Sequence, residues 1–127
     1  MDVIEEAQQR GIVGTRGVSC HSFEALKTAA REPWVEVDLA RINPAGVQMD
    51  ADPAAVVAVL RQMKAAGKGV IGMKVFGAGA LRDRANECLK YVIGLDCVDC
   101  FTIGCESREQ MKNLAARIAA VPAVRRG

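Results

Sequence analysis

The sequence has few aromatic side chains and no marked excess of either charge. Three phenylalanines, one tyrosine and one tryptophan are too few for the stacking platform on which proteins bind single-stranded nucleic acids. The 17 basic and 15 acidic residues give a net charge of +2 and are scattered, so they form no basic stripe for a phosphate backbone. We therefore expect no nucleic-acid partner.

Long apolar runs are also missing. None reaches the roughly 20 residues that a membrane-spanning helix needs. The first ten residues, MDVIEEAQQR, are acidic and amphipathic, unlike a signal peptide. We therefore expect no membrane partner and a cytoplasmic location. Half of the residues are hydrophobic, which is enough to bury the core of one domain and argues against disorder.

The five cysteines are odd in number and irregular in spacing, unlike the disulfide framework of a small secreted protein. Cys97 and Cys100 have the spacing of a metal-binding pair, and Cys105 follows closely. However, the segment 97–103 alternates like a strand, on which residues three apart face opposite sides. We expect reduced thiols that pack as small apolar side chains, and no metal site.

Hydrophobic periodicity and capping residues predict one helix followed by four strand and helix pairs. The predicted strands are 15–19, 35–42, 69–76 and 97–103. The predicted helices are one that ends at Gly11, one between the N-cap Ser22 and Pro33, one from Asp52-Pro53 to Gly67, and two over 81–93 and 109–118. A basic tail, 125–127, follows the last helix.

Apolar strands separated by capped helices favour an α/β fold with a parallel sheet and right-handed crossovers. Four strands fit either a small open sheet or one half of an eight-stranded barrel, since a complete barrel needs about 250 residues. A first helix without a preceding strand favours the half-barrel, or a fragment of one. An unpaired half leaves strand edges open, and a homodimer would cover them.

Four motifs occur in order along the chain: GTRGVSCHS at 14–22, ARINP at 40–44, GVIGMKVFGAG at 69–79 and TIGCESREQMKNL at 102–114. Together they resemble the second half of the aldo/keto reductases, which are (β/α)8 TIM barrels that reduce aldehydes and ketones with NADPH. The resemblance covers essentially the whole chain. It implies one partial domain over 1–127, the C-terminal half of the barrel with strands 5 to 8 and the helices that precede and separate them.

The resemblance implies NADP(H) as the cofactor. The implied cofactor-binding residues are Ser19 at the nicotinamide, Lys74, Phe76, Gly77, Gly79 and Leu81 at the pyrophosphate, and Gly104, Ser107, Arg108, Gln110 and Asn113 toward the adenosine. Cys20 and Leu39 stand where the family usually has an asparagine and a glutamine for the nicotinamide. The alternative interpretation is structural: the glycines only make tight turns, and Ser107 only caps a helix.

Lys74 is a charge within an otherwise apolar predicted strand. A lysine there must face solvent, an ion pair or a ligand, because burying it alone costs several kcal/mol. It meets either the pyrophosphate or a neighbouring carboxylate.

Carbonyl reduction in the family uses an aspartate, a tyrosine, a lysine and a histidine from the first half of the barrel. The sequence has one tyrosine, Tyr91, and one histidine, His21. Tyr91 has the spacing of a packed helix residue, whereas His21 and Asn43 are expected to line the substrate pocket. We therefore expect no catalytic residue here, and a cofactor-binding half that takes a carbonyl substrate only when a first half completes it. The alternative is a non-catalytic nucleotide-binding or interaction half-barrel.

Overall fold

The computed structural model describes residues 2–122 and has four parallel strands in one sheet, with helices between them. The strands are β1 (Gly17–Cys20), β2 (Val37–Arg41), β3 (Gly69–Met73) and β4 (Cys100–Phe101). The α-helices are α1 (Asp2–Gln9), α2 (Phe23–Arg31), α3 (Pro53–Ala65), α4 (Ala85–Gly94) and α5 (Arg108–Ala120). Two 3-10 turns, Gly77–Gly79 and Arg82–Arg84, precede α4. The predicted α/β class and parallel sheet are confirmed. The basic tail lies outside the described residues.

The strands follow one another in space in the order of the chain, β1-β2-β3-β4. Right-handed crossovers between neighbouring strands in this order place the connecting helices on one face of the sheet. Leu26 of α2, Leu60 of α3 and Val92 of α4 accordingly share one buried core with Ala40 and Val70 of the sheet. The carboxyl ends of all four strands lie at the same edge.

The helix boundaries follow local signals. Ser22, Asp52 and Ser107 are N-caps whose side chains accept hydrogen bonds from main-chain N–H groups of the first turn, as the sequence predicts. Gly11 and Gly67 follow α1 and α3 with φ of 69° and 78°, a left-handed conformation that glycine adopts at little cost.

The strands β3 and β4 are shorter than the sequence predicts. β3 ends at Met73 because Lys74 takes a left-handed φ of 56°, which is incompatible with an extended strand. β4 has only two residues. The preceding Cys97 and Val98 are not part of that strand, and instead their side chains are buried in the core. α4 starts at Ala85 rather than near 81, since the two 3-10 turns occupy the intervening chain.

The face of β2 that packs on the core carries Asp38 rather than the larger apolar side chains of this strand. Asp38 and Ala40 point toward the helices and are fully buried, whereas Val37 and Leu39 are only half-buried on the opposite face. That opposite face aligns Ser19, Leu39, Ile71 and Cys100 across the four strands.

None of the helices between residues 2 and 122 combines the length and the apolar character that crossing a bilayer requires.

Candidate functional site

A cavity of about 690 Å³ opens at the carboxyl ends of β3 and β4, and we call it the β3–β4 groove. One wall is the chain that follows β3, including Lys74, Phe76 and Arg82. The other wall is the segment 102–106 that follows β4, together with one face of α5. Because β3 and β4 are paired in parallel, both walls rise from the same edge of the sheet. The volume is within the range of small-molecule sites.

About half of the residues proposed from the sequence for cofactor binding meet in this groove. They are Lys74, Phe76, Gly79, Gly104, Gln110 and Asn113. The sequence reading missed several other lining residues, among them Arg82, Thr102, Cys105, Glu106 and Arg117. Of these, Arg117 had a sequence signal, because it has the three- and four-residue spacing of one helix face with the predicted Gln110 and Asn113.

The charged groups of the groove are mostly cationic. Lys74 and Arg82 are exposed, and within residues 2–122 neither side chain has an ion pair or a hydrogen bond. Arg117 donates to Asn113 Oδ1 and to Asn86 Oδ1, both at 2.6 Å, and so links α5 to α4. Glu106 contributes the opposite charge on the β4 wall. The arrangement favours an anionic ligand.

In the glycine-containing loop 74–81 after β3, main-chain N–H groups donate hydrogen bonds to carbonyl oxygens of the same segment. The N–H of Gly77 donates to Lys74 O at 2.8 Å, and the N–H groups of Gly79 and Leu81 donate to Phe76 O at 2.9 and 3.0 Å. These three amide groups already have hydrogen-bond acceptors within the loop. Side chains must therefore supply much of any phosphate binding at this wall.

Gly77 and Leu81 are buried and are not among the residues that line the groove. Gly77 has a φ of 56°, and a Cβ built on it would lie 2.9 Å from Val47 Cγ1. The conformation favours glycine there, and the close packing of Val47 leaves no room for a Cβ.

The N-terminus of α5 is capped by the chain itself. Ser107 Oγ accepts from the N–H of Gln110 at 3.1 Å, and Gln110 Oε1 accepts from the N–H of Glu106 at 2.8 Å. Two of the amides that could face an anion are thus occupied. Ser107 caps α5, as the sequence predicts, and both Ser107 and the exposed Arg108 lie outside the groove lining. The contact of these two residues with a phosphate stays a prediction.

Ser19 and His21 form a pair at the end of β1. Ser19 Oγ lies 3.1 Å from His21 Nε2 and 3.9 Å from Met73 Sδ. Both residues are exposed, and neither lines the groove, but Met73 does. Ser19 therefore connects the pair to the groove through Met73.

Asn43 does not face a pocket, contrary to the sequence expectation. Its side chain is fully buried. Its Nδ2 donates to Val47 O at 2.7 Å and to Lys74 O at 3.2 Å, and its Oδ1 accepts from the N–H groups of Ala45 and Val47. Every hydrogen bond of this side chain is with the main chain, so Asn43 has a structural place in the loop after β2.

Tyr91 lies half-buried on α4, where desolvation raises the pKa of its hydroxyl, and it is outside the groove lining. In the described part of the chain, no three His, Cys, Asp or Glu side chains lie close enough together to share a metal ion. Comparison with profiles of known protein families, with curated proteins and with solved structures found no match. The family resemblance therefore stays a prediction.

Proposed function

We propose that the β3–β4 groove binds the phosphates of NADP(H), and that the chain is the cofactor-binding half of an aldo/keto reductase-like carbonyl reductase. One observation carries the proposal: Lys74 and Arg82 line a cavity of small-molecule size, and in the described residues they have no anionic partner of their own. Two such cations on one wall match the two charges of a pyrophosphate.

The chemistry of the walls supports a dinucleotide over a simple anion. Phe76 and Leu114 give apolar surface beside the cations, and Gln110 and Asn113 add amide groups that can donate and accept hydrogen bonds. A nucleotide needs this combination, because its base is flat and partly apolar while its phosphates are charged. Since the cations are exposed, solvent and salt screen them, so affinity should fall as ionic strength rises.

The sheet supports the half-barrel interpretation. Four parallel strands in chain order with helices between them are what strands 5 to 8 of a (β/α)8 TIM barrel would contribute. Ser19 on β1 also approaches Met73 at the end of β3 to 3.9 Å, although β2 lies between these strands. A contact across an intervening strand is favoured when the sheet curls toward that face. We propose that residues 1–127 form this partial barrel domain.

The positions of Tyr91 and His21 support cofactor binding without turnover by this chain alone. Neither lines the groove, so no tyrosine is placed there to protonate a forming alkoxide. We propose that an aldehyde or ketone substrate binds only when a first half-barrel supplies the catalytic side chains. A cytoplasmic location, where NADPH is available, is part of the same proposal.

A homodimer is the proposed way for the chain to cover its open strand edges in the absence of a first half. Size-exclusion chromatography with light scattering measures this directly. A monomer that binds no dye specific for exposed apolar surface would contradict it.

Fluorescence titration with NADPH tests the binding proposal. Lys74→Met and Arg82→Met each remove a charge but keep an aliphatic side chain, and each should weaken binding about tenfold through the loss of a charge-assisted hydrogen bond. Lys112→Met on α5 is the matched control, because Lys112 is exposed but outside the groove lining. The affinity of the Lys112→Met variant for NADPH should stay within about twofold of that of the wild type. No binding by the wild type, or equal losses in all three variants, would refute the proposal.

The second candidate is a non-catalytic nucleotide-binding module. It is favoured by the same position of Tyr91 and His21 outside the groove. Adding aldehydes and a separately expressed first half of a reductase barrel to the NADPH-bound chain discriminates the two. Oxidation of NADPH supports the reductase half, and binding without oxidation supports the module.

A further inference from the structure

Two contacts join the loop after β2 to the wall of the β3–β4 groove. Asn43 Nδ2 donates to the main-chain oxygen of Lys74 at 3.2 Å. Four residues further along, Val47 packs so closely on Gly77 that a Cβ there would be 2.9 Å away. The loop is outside the groove lining, yet it contacts the chain on both sides of Phe76, which lines it.

Lys74 needs such support because of its backbone. Its φ of 56° is left-handed, and a residue with a Cβ persists in that conformation only where its surroundings hold it. Two hydrogen bonds converge on its carbonyl oxygen, one from the N–H of Gly77 at 2.8 Å and one from Asn43 Nδ2. This conformation also determines where the Lys74 side chain leaves the sheet edge.

Asn43 is itself held firmly. It is fully buried, its Oδ1 accepts from the N–H groups of Ala45 and Val47, and its Nδ2 also donates to Val47 O. An aspartate would fit the same space and keep the two accepted bonds, but it has no N–H to donate to Lys74 or to Val47.

We infer that Asn43 is a positioning residue for anion binding in the groove, which acts by holding the main chain of Lys74 so that its ammonium group faces the ligand. The inference rests on the proposed function and identifies a residue of the site that does not touch the ligand. It also gives the buried asparagine a role beyond closing its own loop.

A double-mutant cycle on NADPH affinity tests the inference. Asn43→Asp should weaken binding about tenfold, and so should Lys74→Met. If Asn43 acts through Lys74, the double variant should bind within about twofold of Lys74→Met alone, because the positioned charge is already gone. A loss in the double variant equal to the product of the two single losses would overturn the inference. Gln62→Glu on the exposed side of α3 controls for the added negative charge.

Amide hydrogen exchange of the wild type tests the same coupling without depending on the folding of a variant. NADPH should slow exchange at the N–H groups of Ala45 and Val47, which donate to Asn43 Oδ1, although neither residue lines the groove. The N–H of Ala54, which donates to the cap Asp52, is the control and should be unaffected. NADPH binding without slower exchange in the loop would overturn the inference alone. Failure of the wild type to bind NADPH would overturn the proposed function and this inference together.

Discussion

The Cys20 thiol donates a hydrogen bond of 2.8 Å to Asp38 Oδ2 inside the protein core. Asp38 is fully buried, and its other oxygen has no hydrogen-bond partner among the described residues. Burial raises the pKa of the Asp38 carboxyl, although the Cys20 hydrogen bond and the nearby charge of Lys68 oppose the increase. Burial, together with Asp38, raises the pKa of the Cys20 thiol to about 12. A carboxylate with one thiol donor is an unusual element of a core.

We predict that Asp38 makes stability fall as pH rises. Its pKa in the folded protein is above the ordinary value of 3.8, so the folded protein holds this proton more tightly than the unfolded chain does. Stability from this group is fully present below that ordinary value and is lost as pH rises through the folded-state pKa. The unfolding free energy of the wild type minus that of Asp38→Asn should therefore decrease from about pH 4 upward, as measured by urea denaturation.

Asp96→Asn controls for carboxylates in general, because Asp96 is exposed and pairs with Arg61 on the surface. The decrease with pH should be specific to Asp38→Asn, because of these two aspartates only Asp38 is buried. A wild-type minus Asp38→Asn difference that is constant or rises with pH would contradict the prediction.

The five thiols should divide into two classes in the native protein. Cys20, Cys88 and Cys97 are buried, and desolvation raises the pKa of each, which suppresses the reactive thiolate. Cys100 and Cys105 are exposed. A chromogenic disulfide reagent should react quickly with these two thiols and with the remaining three only after unfolding.

NADPH should slow the labelling of Cys105, which lines the β3–β4 groove, and leave Cys100 unchanged. Peptide mapping of the labelled protein distinguishes the two sites. Equal protection of both thiols would indicate a general tightening of the protein rather than occupation of the groove.

Gly17→Ala should destabilise the protein by about 2 kcal/mol or more through overpacking. A Cβ at Gly17 would lie 2.1 Å from the main-chain oxygen of Val37, the residue paired with it across β1 and β2. A backbone atom of a paired strand cannot move aside without disturbing the ladder. Gly14→Ala is the control, since a Cβ there has no atom within 4 Å, and it should change stability by no more than about 0.5 kcal/mol. Thermal unfolding of the two variants compares them, and equal effects would contradict the prediction.

Ala78→Gly should stabilise the protein by about 0.5 to 1 kcal/mol. Ala78 has a left-handed φ of 56°, which costs more for alanine than for glycine. Ala80→Gly, two residues later, starts from a right-handed helical φ of −63° and should instead destabilise by about 0.5 to 1 kcal/mol. Changes of opposite sign in the unfolding free energy of the two variants, measured by chemical denaturation, support the assignment of strain to Ala78. Equal decreases in both variants would contradict it.

Local chemistry predicted much of the secondary structure. The N-caps Ser22, Asp52 and Ser107 mark helix starts because a side-chain oxygen beside the first turn satisfies an amide that no neighbouring turn can reach. Gly11 and Gly67 mark helix ends for an equally local reason. The existence of four strands and the parallel sheet also followed from the sequence, since capped helices between short apolar segments leave few other arrangements.

Part of the candidate site was predictable as well. Lys74 was predictable because a charge inside an apolar segment must face solvent, an ion pair or a ligand. The glycines after Lys74 indicate a loop at the end of a strand. Arg82 was not predictable, since an arginine near a turn is ordinary until the fold brings it to a cavity. Arg117 shares a helix face with Gln110 and Asn113, but only the fold brings that face to the groove.

The sequence by itself determined that strands and helices alternate, which residues cap α2, α3 and α5, and which glycines follow α1 and α3, because these depend on neighbours within about one turn of the chain. Tertiary structure alone decided that Asp38 faces the core, that Lys74 ends β3, and that Asn43 is buried against Lys74. Alternation along a strand defines two faces, but only packing chooses which one the helices cover. A contact between residues 31 positions apart likewise exists only once the sheet has placed two strand ends side by side.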